Sequence, residues 1–293
     1  MLPFASLLLL GMAIVMAVLV AKASRSLLRV ERTARADTGT IAPHGRARRA
    51  MGWWMRTVHS LEERVAPGSA LGLQLTISVL LALAALWMFV QVTDNIIDQE
   101  SLSRFDAQVL VLLAPWRTDT GLAIASVVSR FGTVPVMSVL ALLLVLFVYR
   151  RQWRAVVVAW TLVMLGGKLV EDVLKHTFHR HRPIGALHYL NGASYSYPSG
   201  HSMGSMIGYG MLAYLILIRV RRPPLRAAVT AGAALIILVI GLSRLVLAVH
   251  FFTDVVGGYA AGAVWLALSI AAVEAARERA AIAANDPERH RPA

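Results

Sequence analysis

The sequence predicts an all-α protein, a polytopic bundle of transmembrane helices, and three observations support this fold class. First, 57% of the 293 residues are hydrophobic and only 15% are charged, whereas a soluble domain carries about 25% charged residues. Second, the mean hydropathy is +0.63. Third, several apolar runs reach the length of about 20 residues with which a helix crosses a bilayer. There is no cysteine, so disulfides and thiolate metal sites are excluded.

Seven apolar segments account for the predicted spans. The first resembles a secretion signal, because Ala21-Lys22-Ala23 looks like a cleavage site. It lacks a basic start, however, and basic residues follow it, which favours a retained N-terminal anchor over residues 1–22. The seven segments are 2–22, 71–93, 132–149, 154–176, 200–219, 226–246 and 253–274.

The distribution of basic residues predicts the orientation in the membrane. The stretch from Lys22 to Arg64 holds ten of the Lys and Arg residues, and the connectors 150–154 and 219–226 are basic too. Cytoplasmic loops carry an excess of Lys and Arg, so we expect the N-terminus outside and the C-terminus in the cytoplasm. The net charge of +13 lies between apolar spans rather than on one soluble face, which argues against nucleic acid as a partner.

Three parts outside the main spans have their own predictions. Residues 23–70 are expected to be a basic cytoplasmic linker with an amphipathic patch near Trp53 and Trp54, lying on anionic lipid. The loop 94–131 is expected to contain one or two interfacial helices, within Val109–Leu113 and Leu122–Val128. Residues 275–293 mix both charge signs and are predicted to form a cytoplasmic, solvated helical tail.

The first polar motif lies at the end of the fourth apolar segment. Lys175 is followed seven residues later by Arg182, directly before Pro183. Proline disfavours helix at the preceding residue, so Arg182 should lie where the chain leaves helical geometry. The pair can bind a phosphoryl group from a helix end and a loop, although basic side chains at an interface also occur there simply to reach water.

The second motif precedes the fifth apolar segment. Ser199 is a candidate N-cap, and free backbone N–H groups at a helix start bind anions. Gly200 leaves room for a phosphate oxygen, and His201 in the first turn could give a proton to a leaving oxygen. Ordinary helix capping would also explain these residues.

The third motif joins the last two spans. A continuous helix from 226 to 274 would exceed one bilayer crossing, so the chain must turn around His250. Asp254 lies four positions after His250, which on a helix would place both side chains on one face. A carboxylate on one imidazole nitrogen leaves the other free to attack. Arg244, next to Ser243, adds a further cation, but local capping is the simpler explanation of a lone His/Asp pair.

Two groups of polar residues are assigned no catalytic role. One is the run of Lys168, Glu171 and Asp172, which with Lys175 forms ion-pair spacings of one helical turn. A hydrophilic cavity below the site is the alternative explanation for this run. The other group is the set of basic residues His176, His179, Arg180, His181 and His188.

Taken together, the three motifs place cations, histidines and a carboxylate at one membrane face, where ionisable groups are usually functional. They resemble the signature of the type-2 phosphatidic acid phosphatase superfamily, also called lipid phosphate phosphatases. Its pattern is K-x6-R-P, P-S-G-H and S-R-x5-H-x3-D, and every fixed position matches within 175–254. The resemblance implies a six-helix phosphatase core over about 71–274, with one extra N-terminal transmembrane helix.

The resemblance also implies a mechanism. His250 would attack phosphorus to form a phosphohistidine, Asp254 would orient it, and His201 would protonate the leaving group. The groups implied to hold the phosphate oxygens are Lys175, Arg182, Ser199, the Gly200 amide and Arg244. No metal and no cofactor are expected, since cations take the place of a metal.

The function expected from the sequence is hydrolysis of the phosphomonoester or diphosphate of a membrane lipid, at the periplasmic or extracellular face of a bacterial inner membrane. Phosphatidic acid, phosphatidylglycerophosphate, undecaprenyl diphosphate and a phosphorylated lipid A are all chemically compatible. The alternatives are a lipid-to-lipid phosphotransferase, a vanadate-dependent haloperoxidase and an anion transporter. Membrane spans disfavour the second, and transporters more often bind at mid-membrane between paired repeats.

Overall fold

The computed structural model describes residues 70–97, 101–150, 152–183 and 195–284, and in these ranges it contains helices and no strand. The chain divides into two compact units, Met1–Ile77 and Ser78–Ala293, and the contacts below belong to the second. The predicted first span, the linker up to residue 69 and the tail beyond 284 lie outside the described residues. The helices are α1 (Ala70–Ile97), α2 (Ser101–Leu112), a short 3-10 helix (Ala114–Trp116), α3 (Asp119–Arg130), α4 (Val134–Val148), α5 (Trp153–Phe178), α6 (Gly200–Leu217), α7 (Pro223–Val246) and α8 (Phe252–Ala284).

Six of these helices coincide with the last six predicted apolar segments: α1, α4, α5, α6, α7 and α8. The segment 94–131, expected to contain one or two helices at the interface, holds two helices, α2 and α3; their position at an interface stays a prediction. α8 continues beyond the predicted span to Ala284, so the first part of the predicted tail is helical. The fold class is therefore confirmed as helical for the described residues.

The described helices differ in whether their length and composition suit a membrane span. By length and composition, two described helices qualify alone: Pro223–Val246, with a hydropathy of 2.2, and Phe252–Glu274, with 1.7. α3 and α4 would together make a third, bent by 51° between them. α4 has 15 residues, and α5 carries charged residues at 168, 171 and 172, so neither qualifies alone. The count of six core spans plus one stays a prediction.

The core of the second unit lies around α6, which is the most enclosed of its helices. Met203, Ile207 and Met211 on α6 are each 1% exposed. α8 packs closely against the start of α6, where a Cβ atom at Gly258 would lie 2.7 Å from the carbonyl oxygen of Ser199. Glycine is needed there because any side chain would force the two helices apart, as at other close helix crossings in membranes.

Polar aromatic side chains tie the helices together across this core. Trp265 of α8 donates to the carbonyl of Val163 on α5 at 2.9 Å, and Tyr259 of α8 donates to Ile237 on α7 at 2.7 Å. In an apolar environment an unsatisfied polar group is costly, so such bonds fix which helix faces meet. They bring the starts of α6 and α8 and the end of α5 to the same end of the bundle.

Candidate active site

The site is built on the turn between α7 and α8. α7 ends at Val246 and α8 begins at Phe252, so the predicted change of direction around His250 is confirmed. Ala248 in this turn has a φ of 52°, in the left-handed region. The expectation that His250 and Asp254 share a helix face is wrong in detail: His250 precedes the helix, and only Asp254 lies in the first turn of α8.

The turn nevertheless brings the His250 and Asp254 side chains together. His250 Nδ1 lies 3.4 Å from Asp254 Oδ2, and the Phe251 backbone N–H donates to the same oxygen at 2.9 Å. His250 is 2% exposed and Asp254 is fully buried. The carboxylate therefore faces one nitrogen of a buried imidazole.

The second imidazole nitrogen faces a cation. Arg182 Nη1 lies 3.1 Å from His250 Nε2 and also donates to the Val249 carbonyl at 2.8 Å. A guanidinium can only donate, so Nε2 is the acceptor and the proton of a neutral ring is on Nδ1, towards Asp254. Burial lowers the pKa of His250 to about 4, against the opposing effect of Asp254, so the ring is neutral near pH 7.

Arg182 itself lies outside helical geometry, as expected from Pro183. α5 ends at Phe178, and His179 at its end adopts a φ of 47°. The chain then runs in a non-helical conformation through Arg182. This path carries the guanidinium to the turn between α7 and α8.

The start of α6 is joined directly to the start of α8. The Ser199 backbone N–H donates to the Asp254 carbonyl at 2.9 Å. The Ser199 side chain is the N-cap of α6, as predicted, and accepts hydrogen bonds from the N–H and the hydroxyl of Ser202. Since Ser199 is fully buried, its hydroxyl contributes to capping in this structure rather than facing an open site.

His201 lies in the first turn of α6, among the predicted phosphate ligands. It interacts electrostatically with Arg244, His250, Lys175 and Arg182. These residues come from four different parts of the chain, so the tertiary structure brings the three motifs to one place.

The space beside Gly200 is occupied by a carboxylate. A Cβ atom at Gly200 would lie 2.1 Å from Oε1 of Glu171 on α5. The same oxygen is 2.6 Å from Lys175 Nζ, and both side chains are mostly buried. The room that the sequence analysis reserved for a phosphate oxygen is therefore taken here by Glu171.

The predicted ion-pair run along α5 is confirmed. Lys168 lies 2.7 Å from Asp172 and 3.3 Å from Glu171, and Lys175 completes the series. Lys168 and Asp172 are about half exposed, whereas Glu171 is buried. The buried acid thus belongs to the site, and the exposed pair does not.

Arg244, at the end of α7, is buried but poorly compensated. Its Nη1 donates to the Ser129 hydroxyl of α3, while its Nε has no hydrogen-bond partner among the described residues. Arg244 is only 7% exposed. A buried cation with an unused donor indicates a place prepared for an anion.

A second polar cluster surrounds Asp254 on its far side. Arg180 donates to Asp254 Oδ1 through Nη1 and to Asp106 Oδ2 on α2 through Nη2, the latter at 2.7 Å. Thr253 bonds both Arg180 and Asp106. We name Asp106, Arg180, Thr253 and Asp254 the paired side of the site, and Lys175, Arg182, Arg244 and His201 its cationic side.

A comparison with known protein families finds a match for the part of the chain that contains the three motifs. Residues 156–278 match the PAP2 superfamily, the family that the three motifs resemble. The chain carries a PAP2 superfamily domain.

Relatives of the PAP2 domain agree with this assignment. Phosphatidylglycerophosphatase B of Bacillus subtilis (strain 168) is 36% identical over 121 residues, which cover 40% of this chain and 57% of that protein. The aligned part thus spans little more than half the length of this curated relative.

A solved structure shows the same fold. The crystal structure of a transmembrane PAP2 type phosphatidylglycerolphosphate phosphatase from Bacillus subtilis matches with a TM-score of 0.56 at 24% identity. The match covers 67% of this chain and 96% of that one. The likeness shows the fold, and two of the described helices are long and apolar enough to cross a membrane.

All the site residues predicted from the sequence lie within the PAP2 match, and three residues of the surrounding network were missed: Arg180 contacts Asp254, Ser129 contacts Arg244, and Asp106 contacts Arg180. Arg180 was placed among basic residues without a role, whereas it is buried between two carboxylates. Asp106 and Ser129 precede the match and lie on α2 and α3. The available signal was weak: Arg180 and Arg182 are two residues apart in a non-helical stretch, and in an extended chain such residues lie on the same face.

Proposed function

We propose that this protein is an integral membrane phosphatase that hydrolyses the phosphate ester of a membrane lipid through a phosphohistidine at His250. The observation that carries the proposal is the setting of the His250 ring. Its Nδ1 faces a carboxylate and its Nε2 lies 3.1 Å from a cation suited to hold a phosphate. A neutral imidazole with one nitrogen fixed and the other directed at an anion site is arranged for nucleophilic attack.

In the proposed first step, His250 Nε2 attacks phosphorus and the bond from phosphorus to the leaving oxygen breaks. His201 gives its proton to that oxygen, which departs as the lipid hydroxyl or, from a diphosphate, as the lipid monophosphate. Asp254 holds the Nδ1 proton while the ring gains positive charge. In the second step water attacks phosphorus and gives a proton back to His201, the bond between phosphorus and His250 Nε2 breaks, and inorganic phosphate leaves with both histidines restored.

The cationic side would stabilise the phosphoryl oxygens through both steps. Lys175, Arg182 and Arg244 supply charge, and the N-terminus of α6 at Gly200 supplies its backbone N–H group. We propose that these groups do the work that a metal does in other phosphatases.

Among lipid substrates we propose a glycerophospholipid monoester, with phosphatidylglycerophosphate first. The support is the name of the Bacillus relative, whose aligned part includes more than a third of identical residues. Phosphatidic acid, undecaprenyl diphosphate and phosphorylated lipid A remain in the test panel because the same chemistry serves them all. From the excess of Lys and Arg in the predicted cytoplasmic connectors, we further propose an active site on the outer face of a bacterial inner membrane.

The test is phosphate release by the purified full-length protein in detergent from each of the four lipids. We expect the highest turnover with phosphatidylglycerophosphate, unchanged by EDTA, and no turnover by the His250→Ala variant. The matched control is His181→Ala, which removes an exposed histidine from the same end of the bundle and should leave activity intact. Acid-labile, alkali-stable phosphate on the wild-type protein after quenching would identify the phosphohistidine.

Three outcomes would contradict parts of this proposal. Full activity of His250→Ala would exclude the nucleophile, and loss of activity in EDTA restored by Mg²⁺ would exclude metal independence. Phosphate release only when a second lipid is added would indicate a phosphotransferase instead of a hydrolase.

A further inference from the structure

The paired side encloses Asp254 from the direction opposite to His250. One carboxylate oxygen, Oδ2, faces His250 Nδ1 and accepts from the Phe251 N–H at 2.9 Å. The other, Oδ1, accepts from Arg180 Nη1. With both oxygens held, the carboxylate cannot rotate about its own axis without losing a bond.

Asp106 fixes Arg180 in turn. Asp106 Oδ2 accepts from Arg180 Nη2 at 2.7 Å and from the Thr253 hydroxyl, and Oδ1 accepts from the Thr253 N–H at 2.9 Å. All these bonds go to residues that touch Asp254 or lie next to it in the chain. Asp106 is 1% exposed, so water does not compete for its oxygens.

The geometry of the link requires an arginine. Arg180 presents Nη1 to Asp254 and Thr253 and Nη2 to Asp106, and its guanidinium lies over the Phe251 ring at 4.4 Å. A planar fork can hold two carboxylates in fixed directions, whereas a lysine ammonium is a point charge on a flexible stem.

The charges of the paired side are also suited to the reaction. Two buried carboxylates face one guanidinium, so a surplus of negative charge remains beside the His250 ring. Buried charges persist only when paired and hydrogen-bonded. The His250 ring, once bonded to phosphorus, carries the positive charge that complements this surplus.

We propose that Arg180 and Asp106 are positioning residues that act through Asp254: together they hold its carboxylate in the orientation that directs His250 Nε2 at the phosphate. This inference rests on the proposed phosphatase function. It adds to that function a residue of α2, far in sequence from the three motifs. Both residues bond to Thr253 on the paired side, so we expect substrate binding by the cationic side to be independent of them.

The test combines a split of kcat from KM with a double-mutant cycle. Asp106→Asn keeps the size of the side chain but places either an amide NH₂ donor or an uncharged amide oxygen, a weaker acceptor, opposite Arg180. We expect kcat for the best lipid of the panel to fall about 10- to 100-fold, as for misplaced catalytic groups, with KM within about twofold of the wild-type value. Arg180→Lys should behave similarly, and Asp119→Asn, at an exposed carboxylate on α3, should leave both parameters unchanged.

The cycle distinguishes positioning from a purely structural role. In an Asp254→Asn background, a residue that acts through Asp254 has little left to do, so Asp106→Asn should lower the residual kcat by less than about twofold. A structural role would instead give the same fold-loss in both backgrounds, together with a lower thermal midpoint in detergent. That result overturns the inference, as does full kcat in a folded Asp106→Asn protein.

Two further arrangements keep the test decisive. If Asp106→Asn fails to accumulate in the membrane, Arg180→Lys is carried through the same cycle and judged by the same criteria. A folded wild-type protein that hydrolyses none of the four lipids would contradict the proposed function itself, whereas an active wild type with equally active variants would contradict only the positioning role.

Discussion

The two sides of the His250 ring differ in how completely their charges are satisfied. On the paired side, Arg180 bonds two carboxylates and each carboxylate has further hydrogen bonds. On the cationic side, Lys175 is paired with Glu171, whereas the Nε of buried Arg244 has no hydrogen-bond partner among the described residues.

This difference separates two tasks within one site. A saturated network has one low-energy arrangement, and so it can orient a side chain. A buried guanidinium with an unused N–H donor, such as that of Arg244, has a high free energy in the empty protein, and this free energy falls when an anion binds. A phosphate monoester near pH 7 carries between one and two negative charges, which suits such a cluster.

Removing the Arg244 guanidinium is the most direct test of this difference between the two sides. Arg244→Gln eliminates a charge proposed to face the phosphate, and we expect kcat/KM to fall by about 10²- to 10³-fold, as for other lost donors to a reacting oxyanion. Since Arg244 lacks an acidic partner in the described residues, its removal should leave the thermal midpoint unchanged or raise it. Steady-state kinetics and thermal unfolding in the same detergent measure both.

The control for this prediction is Arg222→Gln, which removes an exposed arginine at the other end of the same helix. It should leave both quantities unaltered. A strongly destabilised Arg244→Gln protein would show that Arg244 stabilises the fold, and it would contradict the view that its guanidinium is held ready for an anion.

A smaller effect is expected where the acid enters the cationic side. A methyl group in Gly200→Ala would meet Glu171 Oε1 at 2.1 Å and so displace the carboxylate from Lys175. With its ion pair broken, Lys175 loses its fixed position, and we expect KM to rise about tenfold, corresponding to about 1.4 kcal/mol of binding. The double variant Gly200→Ala/Glu171→Ala removes the clash. If Gly200→Ala binds substrate as well as the wild type does, Lys175 does not need Glu171.

The smallest effect concerns pH and sharpens the position of His250 between the two sides. The pKa of His250 in the folded protein, about 4, lies below the unfolded value of about 6.5, so its contribution to stability is present above pH 6.5 and declines as the pH falls towards 4. Between pH 6.5 and 5.5 the loss is about 1 kcal/mol, a change of a few degrees in the thermal midpoint. His250→Gln should show a correspondingly flatter pH dependence, and an identical slope would mean that the folded ring titrates normally.

The parts of the molecule that the sequence predicted are those governed by local rules. Hydrophobic periodicity and length located the helices, and proline placed Arg182 outside a helix. The His250 turn followed from the length of a bilayer crossing. Ser199 was recognised as a cap because capping involves neighbours within one turn.

The parts that could not be predicted depend on contacts between distant segments. Arg180 and Asp106 are 74 positions apart. Their pairing can be predicted only if one knows how α2 lies against α8 and against the segment that follows α5. Likewise, no local pattern shows that Glu171 of α5 fills the space beside Gly200.

The hydrogen bond from Arg244 to Ser129 and the ion pair from Arg180 to Asp106 also bear on where the working unit begins. A shortened protein that starts at residue 156, where the family match starts, would retain every motif residue. It would nevertheless lose the hydroxyl that holds Arg244 and one of the two carboxylates that hold Arg180. The smallest version that preserves these contacts starts no later than α2, so α2 and α3, which precede the matched region, belong to the proposed catalytic unit and are not a detachable extension.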